Sequence, residues 1–269
     1  MTFSGRPGVA MIPCMEIQGG AAIVTGGGGR GMGRAIALRL ADRGAKIAVA
    51  DIDEENGAET VRQVESSGGE AAFVRTDVTV EEDICAMVAF AEEAFGGLDI
   101  LVNNAGLTPE PHFPDAPVEH WTRYLDLNLR APMLAIHHAL EPMRRRGGGA
   151  IVNIASVAGV GFAPHSSPEY SAAKAGLIRL TATLAPLRER FNVRVNCIVP
   201  NWIGTDEVKA EIAAMSPEER ARVPDELTPP EEIAAATAQF VEDEEMAGRV
   251  LLWLTGEEPR LIPVSERGM

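Results

Sequence analysis

The chain has 269 residues, 46% of them hydrophobic, and a formal net charge of −15. That much apolar material supports a sizeable core, while the charge argues against nucleic acid or an anionic membrane as partner, since phosphate binding wants a basic face. Three widely spaced cysteines (Cys14, Cys85, Cys197) without a Cys-x-x-Cys pair suit a reducing, cytoplasmic setting, and no run of about 18 apolar residues is present to span a membrane.

Residues 1–18 lack a basic region followed by a clean apolar stretch, so they do not read as a signal peptide. They are longer than the first strand needs. The expectation is a mobile extension, or a translation start at Met11 or Met15, ahead of a single domain over 19–269. Residues 21–25 are a short apolar run, followed by glycines and a helical pattern over 32–43 that ends at Gly44, a residue suited to the left-handed turn that closes a helix. A second strand over 46–50, a helix over 54–67 closed by Gly68-Gly69, and segments 70–74, 80–95 and 98–103 continue the alternation. Beyond Pro117 come a long helical region to 146, a strand at 151–154, a helix over 168–190 and a strand at 193–199. A helix over 231–242 and an apolar run at 250–254 close the series.

Strands separated by helices of about 10–15 residues predict βαβ units and a parallel sheet. Their apolar runs are continuous, as doubly covered strands should be. The expected fold is α/β: a single Rossmann-type, doubly wound domain with a mostly parallel seven-stranded sheet and helices on both faces. Segment 200–230 stands apart, polar and carrying Pro217, Pro224, Pro229 and Pro230; such a stretch reads as a lid or substrate loop inserted in the domain.

Thr25-Gly-Gly-Gly-Gly-Arg-Gly-Met-Gly33 lies between the first strand and the first helix. Glycines there let backbone N–H groups approach a pyrophosphate at the positive end of the helix dipole. Asp51 ends the next strand twenty residues after Gly31, the spacing of a carboxylate that accepts the adenosine ribose hydroxyls. It would repel a 2′-phosphate and favours NAD. Arg30, inside the loop, is the feature that would instead welcome that phosphate and NADP.

Tyr170 and Lys174 are four residues apart, in a chain with two tyrosines and three lysines. On a helix they share a face, and a nearby cation is expected to lower the phenol from its usual value of about 10 and make it a general acid/base near neutral pH. The histidines show no metal-ligand spacing: His137 and His138 are adjacent on a helix, and His112, His120 and His165 are isolated. No metal is expected.

Taken in order, these motifs resemble the short-chain dehydrogenase/reductase family over roughly residues 20–254. The loop is similar to the family's Thr-Gly-x-x-x-Gly-x-Gly, with one extra residue between Gly26 and Gly31, so that either Gly26 or Gly27 takes the first glycine's part. The resemblance implies that Gly26, Gly27, Arg30, Gly31, Met32 and Gly33 hold the cofactor, with Asp51. It places Asp77 and Val78 at the adenine ring, Asn104, Ala105 and Gly106 along the cofactor site, and Pro200, Ile203 and Thr205 beside the nicotinamide. Asn201 stands where the family has glycine; asparagine tolerates positive φ, so the turn is expected to survive, and the same holds for Asn192.

The resemblance further implies a catalytic set of Asn128, Ser156, Tyr170 and Lys174. Tyr170 would move the substrate proton, Lys174 would tune it and bind the nicotinamide ribose, Ser156 would hold the substrate oxygen, and Asn128 would hold a water linking Lys174 to solvent. His165, between Ser156 and Tyr170, and Trp202, after Pro200, are expected walls of the substrate pocket. The implied activity is NAD-dependent interconversion of a secondary alcohol and a ketone. The alternatives are an NADP-dependent carbonyl reductase, such as one acting on 3-oxoacyl thioesters, and a nucleotide-sensing binding protein on the same fold. The implied assembly is a homotetramer built through helices 121–146 and 168–190, with a dimer next.

Overall fold

The computed structural model describes residues 17–107, 111–161, 165–221 and 223–263. Cys14 and residues 1–16 of the expected extension lie outside the described residues. Ile17 is 2% exposed and packs in the core, so the packed chain includes at least this residue of the stretch read as an extension.

The elements follow one another as β1 (Ala21–Thr25), α1 (Met32–Asp42), β2 (Lys46–Asp51), α2 (Glu54–Ser66), β3 (Glu70–Arg75), α3 (Glu81–Phe95) and β4 (Ile100–Asn103). Next come α4 (Val118–Leu125), a π-helical turn (Asp126–Arg130), α5 (Ala131–Arg145), β5 (Gly149–Ile154), α6 (Pro168–Thr183), α7 (Leu187–Phe191) and β6 (Val193–Pro200). The chain closes with α8 (Asp206–Ala214), α9 (Pro217–Arg220), α10 (Pro230–Glu242), β7 (Val250–Trp253) and β8 (Arg260–Leu261).

The sheet runs β3-β2-β1-β4-β5-β6-β7-β8, and every pairing is parallel except the last. Seven strands were expected; the eighth is two residues long and too short to leave a periodic signal. Successive residues of a strand point to opposite faces, and this builds two cores from the same strands. Ala22 and Val24 of β1 pack with Ile36 and Leu40 of α1 and Ile233 and Phe240 of α10. Ile23 packs with Ile84 and Met87 of α3 and Ile136 and Met143 of α5. Leu177 of α6 meets Cys197 and Val199 of β6 in a third cluster on that side.

Two helices depart from the expected outline. The pattern over 168–190 is broken after Thr183, because Pro186 lacks the N–H that a continuing helix would need. The long helix ending near 146 contains the π-helical turn, an extra residue that the apolar spacing does not reveal. Asn192 adopts the left-handed conformation (φ 54°) and its side chain donates to Gly147 O. Asn201 does not. Its N–H donates to Trp253 O, so the turn after β6 forms without positive φ.

A buried polar chain joins the sheet to α6. Asn103 Nδ2 donates to Asn153 Oδ1 (2.8 Å), Asn153 Nδ2 to Thr181 Oγ1 (2.9 Å), and Thr181 Oγ1 to Leu177 O (2.9 Å). Deleting the middle member orphans a donor on one side and an acceptor on the other, each costly where no water reaches. Asn153→Ala is expected to lower the unfolding free energy by about 2 kcal/mol or more in urea titrations; a loss within roughly 0.5 kcal/mol would show that the chain is not needed.

Candidate active site

In a parallel sheet the C-terminal strand ends form one edge, and a cleft opens where the strand order reverses, here between β1 and β4. Every turn leaving the strands β1 to β6 at that edge supplies a wall of one cleft of about 690 Å³.

The turn after β1 is the glycine loop. Gly26 takes φ 64° and takes the first glycine's part: a Cβ there would lie 3.0 Å from Ala105 Cα. A Cβ on Gly33 would sit 2.0 Å from Gly26 O, so this glycine lets α1 start directly on the turn. Gly27 lies beneath the loop, where its carbonyl accepts from the buried Thr60 hydroxyl (3.0 Å). Gly31 precedes α1 without any side-chain cap, and the first turn of α1 carries no acidic residue. A helix leaves the N–H groups of its first residues, here Met32 and Gly33, without partners of its own, and this suits an anion at its positive end. That uncapped helix start on a loop that is glycine apart from Arg30 fits a dinucleotide's pyrophosphate.

Asp51 ends β2 with its carboxylate held by two backbone donors, Gly28 N–H on Oδ2 (2.9 Å) and Asp53 N–H on Oδ1 (3.0 Å). Arg30 also lines the cleft, its Nε 3.5 Å from Asn56 Oδ1. Asp77 and Val78 follow β3. Burial raises the Asp77 carboxyl, but hydrogen bonds from the Thr79 hydroxyl (2.7 Å) and N–H (3.0 Å) outweigh it and hold it below its ordinary value. After β4, Asn104 Nδ2 donates to Thr25 O, and the Asn104 and Ala105 N–H groups share Thr25 Oγ1, which fastens this turn to the end of β1.

Ser156 follows β5 and caps a short turn, its Oγ accepting from Ala158 N–H (3.2 Å), and Tyr170 stands in the first turn of α6. Both face the cleft. Lys174 lies one helical turn beyond Tyr170. It is 3% exposed, donates to Ile154 O (3.0 Å), and has its ammonium 5.5 Å from the centroid of the Tyr170 ring. Asn128, inside the π-helical turn, donates from Nδ2 to Leu107 O and Tyr124 O; its Oδ1 is buried and has no hydrogen-bond partner among the described residues. A Cβ on Gly106 would stand 2.7 Å from Asn128 Oδ1 and 3.1 Å from Lys174 Nζ. The two side chains thus converge behind Gly106.

One expectation is overturned. Burial pushes the Tyr170 phenol above its ordinary value, and only the Ser156 hydrogen bond opposes this. Lys174, its ammonium over the Tyr170 ring and donating to Ile154 O, does not offset the burial. Burial instead brings Lys174 itself down to about 8.

Pro200, Trp202, Ile203 and Thr205 carry the cleft wall after β6; Thr205 caps α8 by accepting from Val208 N–H (3.2 Å). His165 is exposed and stacks on Tyr170 (centroids 6.2 Å apart), its Nδ1 accepting from Ser167 N–H. His120 and Tyr124, joined by a hydrogen bond, line the cleft as well, and sequence reading missed them because only α4's placement brings them there. Glu169, beside Tyr170 in sequence, is buried and accepts from Phe113 N–H while pairing with His112. Burial pushes its carboxyl up, but its own N–H, His112 and Phe113 N–H outweigh that and leave it below its ordinary value. Among the described residues no group of three His, Cys, Asp or Glu side chains is arranged to hold a metal, and no helix is long and apolar enough to cross a membrane.

The family model described as short chain dehydrogenase matches residues 20–216. The chain is 40% identical over 233 residues to cis-4-hydroxycyclohexanecarboxylate dehydrogenase of Sinomonas cyclohexanicum, covering 82% of this chain and 89% of that one. It is 34% identical over 228 residues to cyclohexanol dehydrogenase of an Acinetobacter species, covering 83% and 88%. Among solved structures it is similar to a 7α-hydroxysteroid dehydrogenase complexed with NADH and 7-oxo glycochenodeoxycholic acid, with a TM-score of 0.80 or above (0.83), 30% identity, and 90% and 96% of the two chains covered. The chain belongs to the short-chain dehydrogenase family, and it is an oxidoreductase acting on hydroxyl and carbonyl groups.

A buried ammonium destabilises the fold while it is charged. Lys174 drops from about 10.5 in the unfolded chain to about 8 in the folded one. The penalty is full below pH 8 and is relieved as pH climbs to about 10.5. In Lys174→Met the relief has no counterpart. The stability of the variant relative to wild type should therefore fall by about 3 kcal/mol between pH 7 and pH 10.5 in denaturant titrations. The orphaned Ile154 carbonyl adds an offset that does not change with pH; a pH-independent difference would refute the buried cation.

Proposed function

We propose that the protein interconverts a secondary alcohol on an alicyclic ring and the corresponding ketone, with NAD as the hydride carrier. The observation that carries this reading is that Ser156 and Tyr170 open on the same cleft as the uncapped start of α1 and the Asp51 carboxylate. A nicotinamide cofactor supplies the hydride chemistry when bound, and the chain supplies binding, orientation and one proton path.

In this reading the glycine loop and Met32 hold the pyrophosphate, Asp51 the ribose hydroxyls, Asp77 and Val78 the adenine, and Asn104 to Gly106 with Pro200, Ile203 and Thr205 the nicotinamide end. Ser156 stabilises charge on the substrate oxygen. Tyr170, held protonated by its burial, gives its proton to a carbonyl in reduction; in oxidation the phenol first releases its proton towards Lys174, and the resulting phenolate takes the alcohol's proton. Lys174 binds the ribose and passes protons towards Asn128, whose unpartnered Oδ1 suits a bridging water. Leu107, Leu127, Trp202 and Val208 give the cleft apolar walls, and two of the relatives above are named for substrates with a cyclohexane ring. His165 and Trp202 flank the substrate. The reading includes a cytoplasmic homotetramer built through α5 and α6, where Met133 of α5 is exposed.

A second reading, an NADP-linked carbonyl reductase, draws support from Arg30 in the same cleft. Turnover of a panel of cyclic secondary alcohols and ketones with each cofactor, followed by NADH and NADPH absorbance, separates the two: NAD should be preferred, and a preference for NADP would replace the first reading with the second. Tyr170→Phe should bind NAD as wild type does and lose about a thousandfold in kcat. Near-native turnover in that variant would remove Tyr170 from the mechanism.

A further inference from the structure

The glycine loop is one residue longer than the pattern it resembles, and the structure shows what holds the extra length. The loop lies flat on the first turn of α2: a Cβ on Gly28 would stand 2.8 Å from Gly57 N and 3.0 Å from Asp51 Oδ2. Two side chains tie it there. Arg34, in the first turn of α1, donates through Nη2 to Gly28 O (2.9 Å) and Asn56 O (3.1 Å), and through Nε to Thr60 Oγ1 (2.9 Å). The Thr60 hydroxyl, fully buried, in turn reaches Gly27 O (3.0 Å). The Gly27 and Gly28 carbonyls are thereby taken by one latch, and the N–H of Gly28 is left aimed at Asp51 Oδ2 (2.9 Å).

The two arginines nearby have opposite fates. Arg30 opens on the cleft, whereas Arg34 does not line it and spends its guanidinium on three acceptors of the loop and α2. Arg34 is therefore not offered to a phosphate. What it holds is Gly28, whose N–H is one of the two backbone donors, with that of Asp53, on the Asp51 carboxylate.

We propose that Arg34, acting with Thr60, is a positioning residue for cofactor selection: it locks the extended glycine loop onto α2 so that Gly28 N–H holds the Asp51 carboxylate against a 2′-phosphorylated nucleotide. The inference rests on the NAD reading above. Its signature is selectivity, because a charged carboxylate discriminates only while its direction is fixed, whereas pyrophosphate contacts serve NAD and NADP alike.

The test measures dissociation constants for NAD and NADP by calorimetry, with melting temperatures, for wild type, Arg34→Gln, Thr60→Val and the conservative Thr60→Ser. In Arg34→Gln the constant for NAD should rise about tenfold, the worth of a lost charge-assisted hydrogen bond, while that for NADP rises far less. The selectivity ratio contracts in Thr60→Val as well and is retained in Thr60→Ser. A uniform loss of affinity for both nucleotides, or unchanged constants, overturns the proposal and leaves Arg34 a structural tie between α1 and α2. Should Arg34→Gln fail to fold, Thr60→Val decides alone, since it removes only the Thr60 hydroxyl from the latch. A wild type that prefers NADP overturns the NAD reading itself, and this proposal with it, before any variant is compared.

Discussion

The site depends on a charge kept where water does not reach. Lys174 spends its ammonium on the carbonyl of Ile154, the last residue of β5, and the surrounding structure is arranged to make that bearable. The carbonyl lies at the sheet edge, where the strand ends and its hydrogen-bonding ladder stops, so an acceptor is available there without breaking a pair. α6 is placed by the Asn103–Asn153–Thr181 chain from the sheet, which brings Lys174 to that carbonyl and Tyr170 to Ser156 in one movement. A stability cost is thus concentrated at the point where chemistry is expected, as strained or unfavourable groups usually are.

Seen from the other end of the cleft, the arrangement is one of ties between turns. Asn104 fastens the turn after β4 to the end of β1, Asp51 ties the glycine loop to the end of β2 and Arg34 ties it to α2, and Thr205 touches Gly31 from the segment after β6. No single turn forms the cleft. Each strand end contributes a short piece held by a neighbour, which is how loops of small residues gain definite positions despite their backbone freedom.

Much of this was legible in the residues. The central strands β1, β4, β5 and β6 appear as apolar runs because both faces of each are covered, and α1 and α2 stop at glycines that take positive φ. The glycine loop, Asp51, Ser156, Tyr170 and Lys174 were legible through order and spacing. The direction of the Tyr170 shift was not, since spacing places two side chains on one helical face but says nothing of burial or of the carbonyl that captures Lys174. His120, Tyr124, Glu169 and Arg34 escaped for a related reason: each acquires its meaning from a partner on another element. Which of Gly26 and Gly27 makes the tight turn was left open by a run of identical residues, and the backbone angle resolves it.

The π-helical turn at Asp126–Arg130 has a further bearing. An added residue rotates everything beyond it by about 100° relative to a straight helix. The same register that sends Asn128 inward behind Gly106 decides that Met133 and His137 of α5 face outward. Interior and exterior are phase-locked along one helix. A homologous chain that gained or lost a residue there would exchange its inner contacts and its outer face together, and could not change one alone.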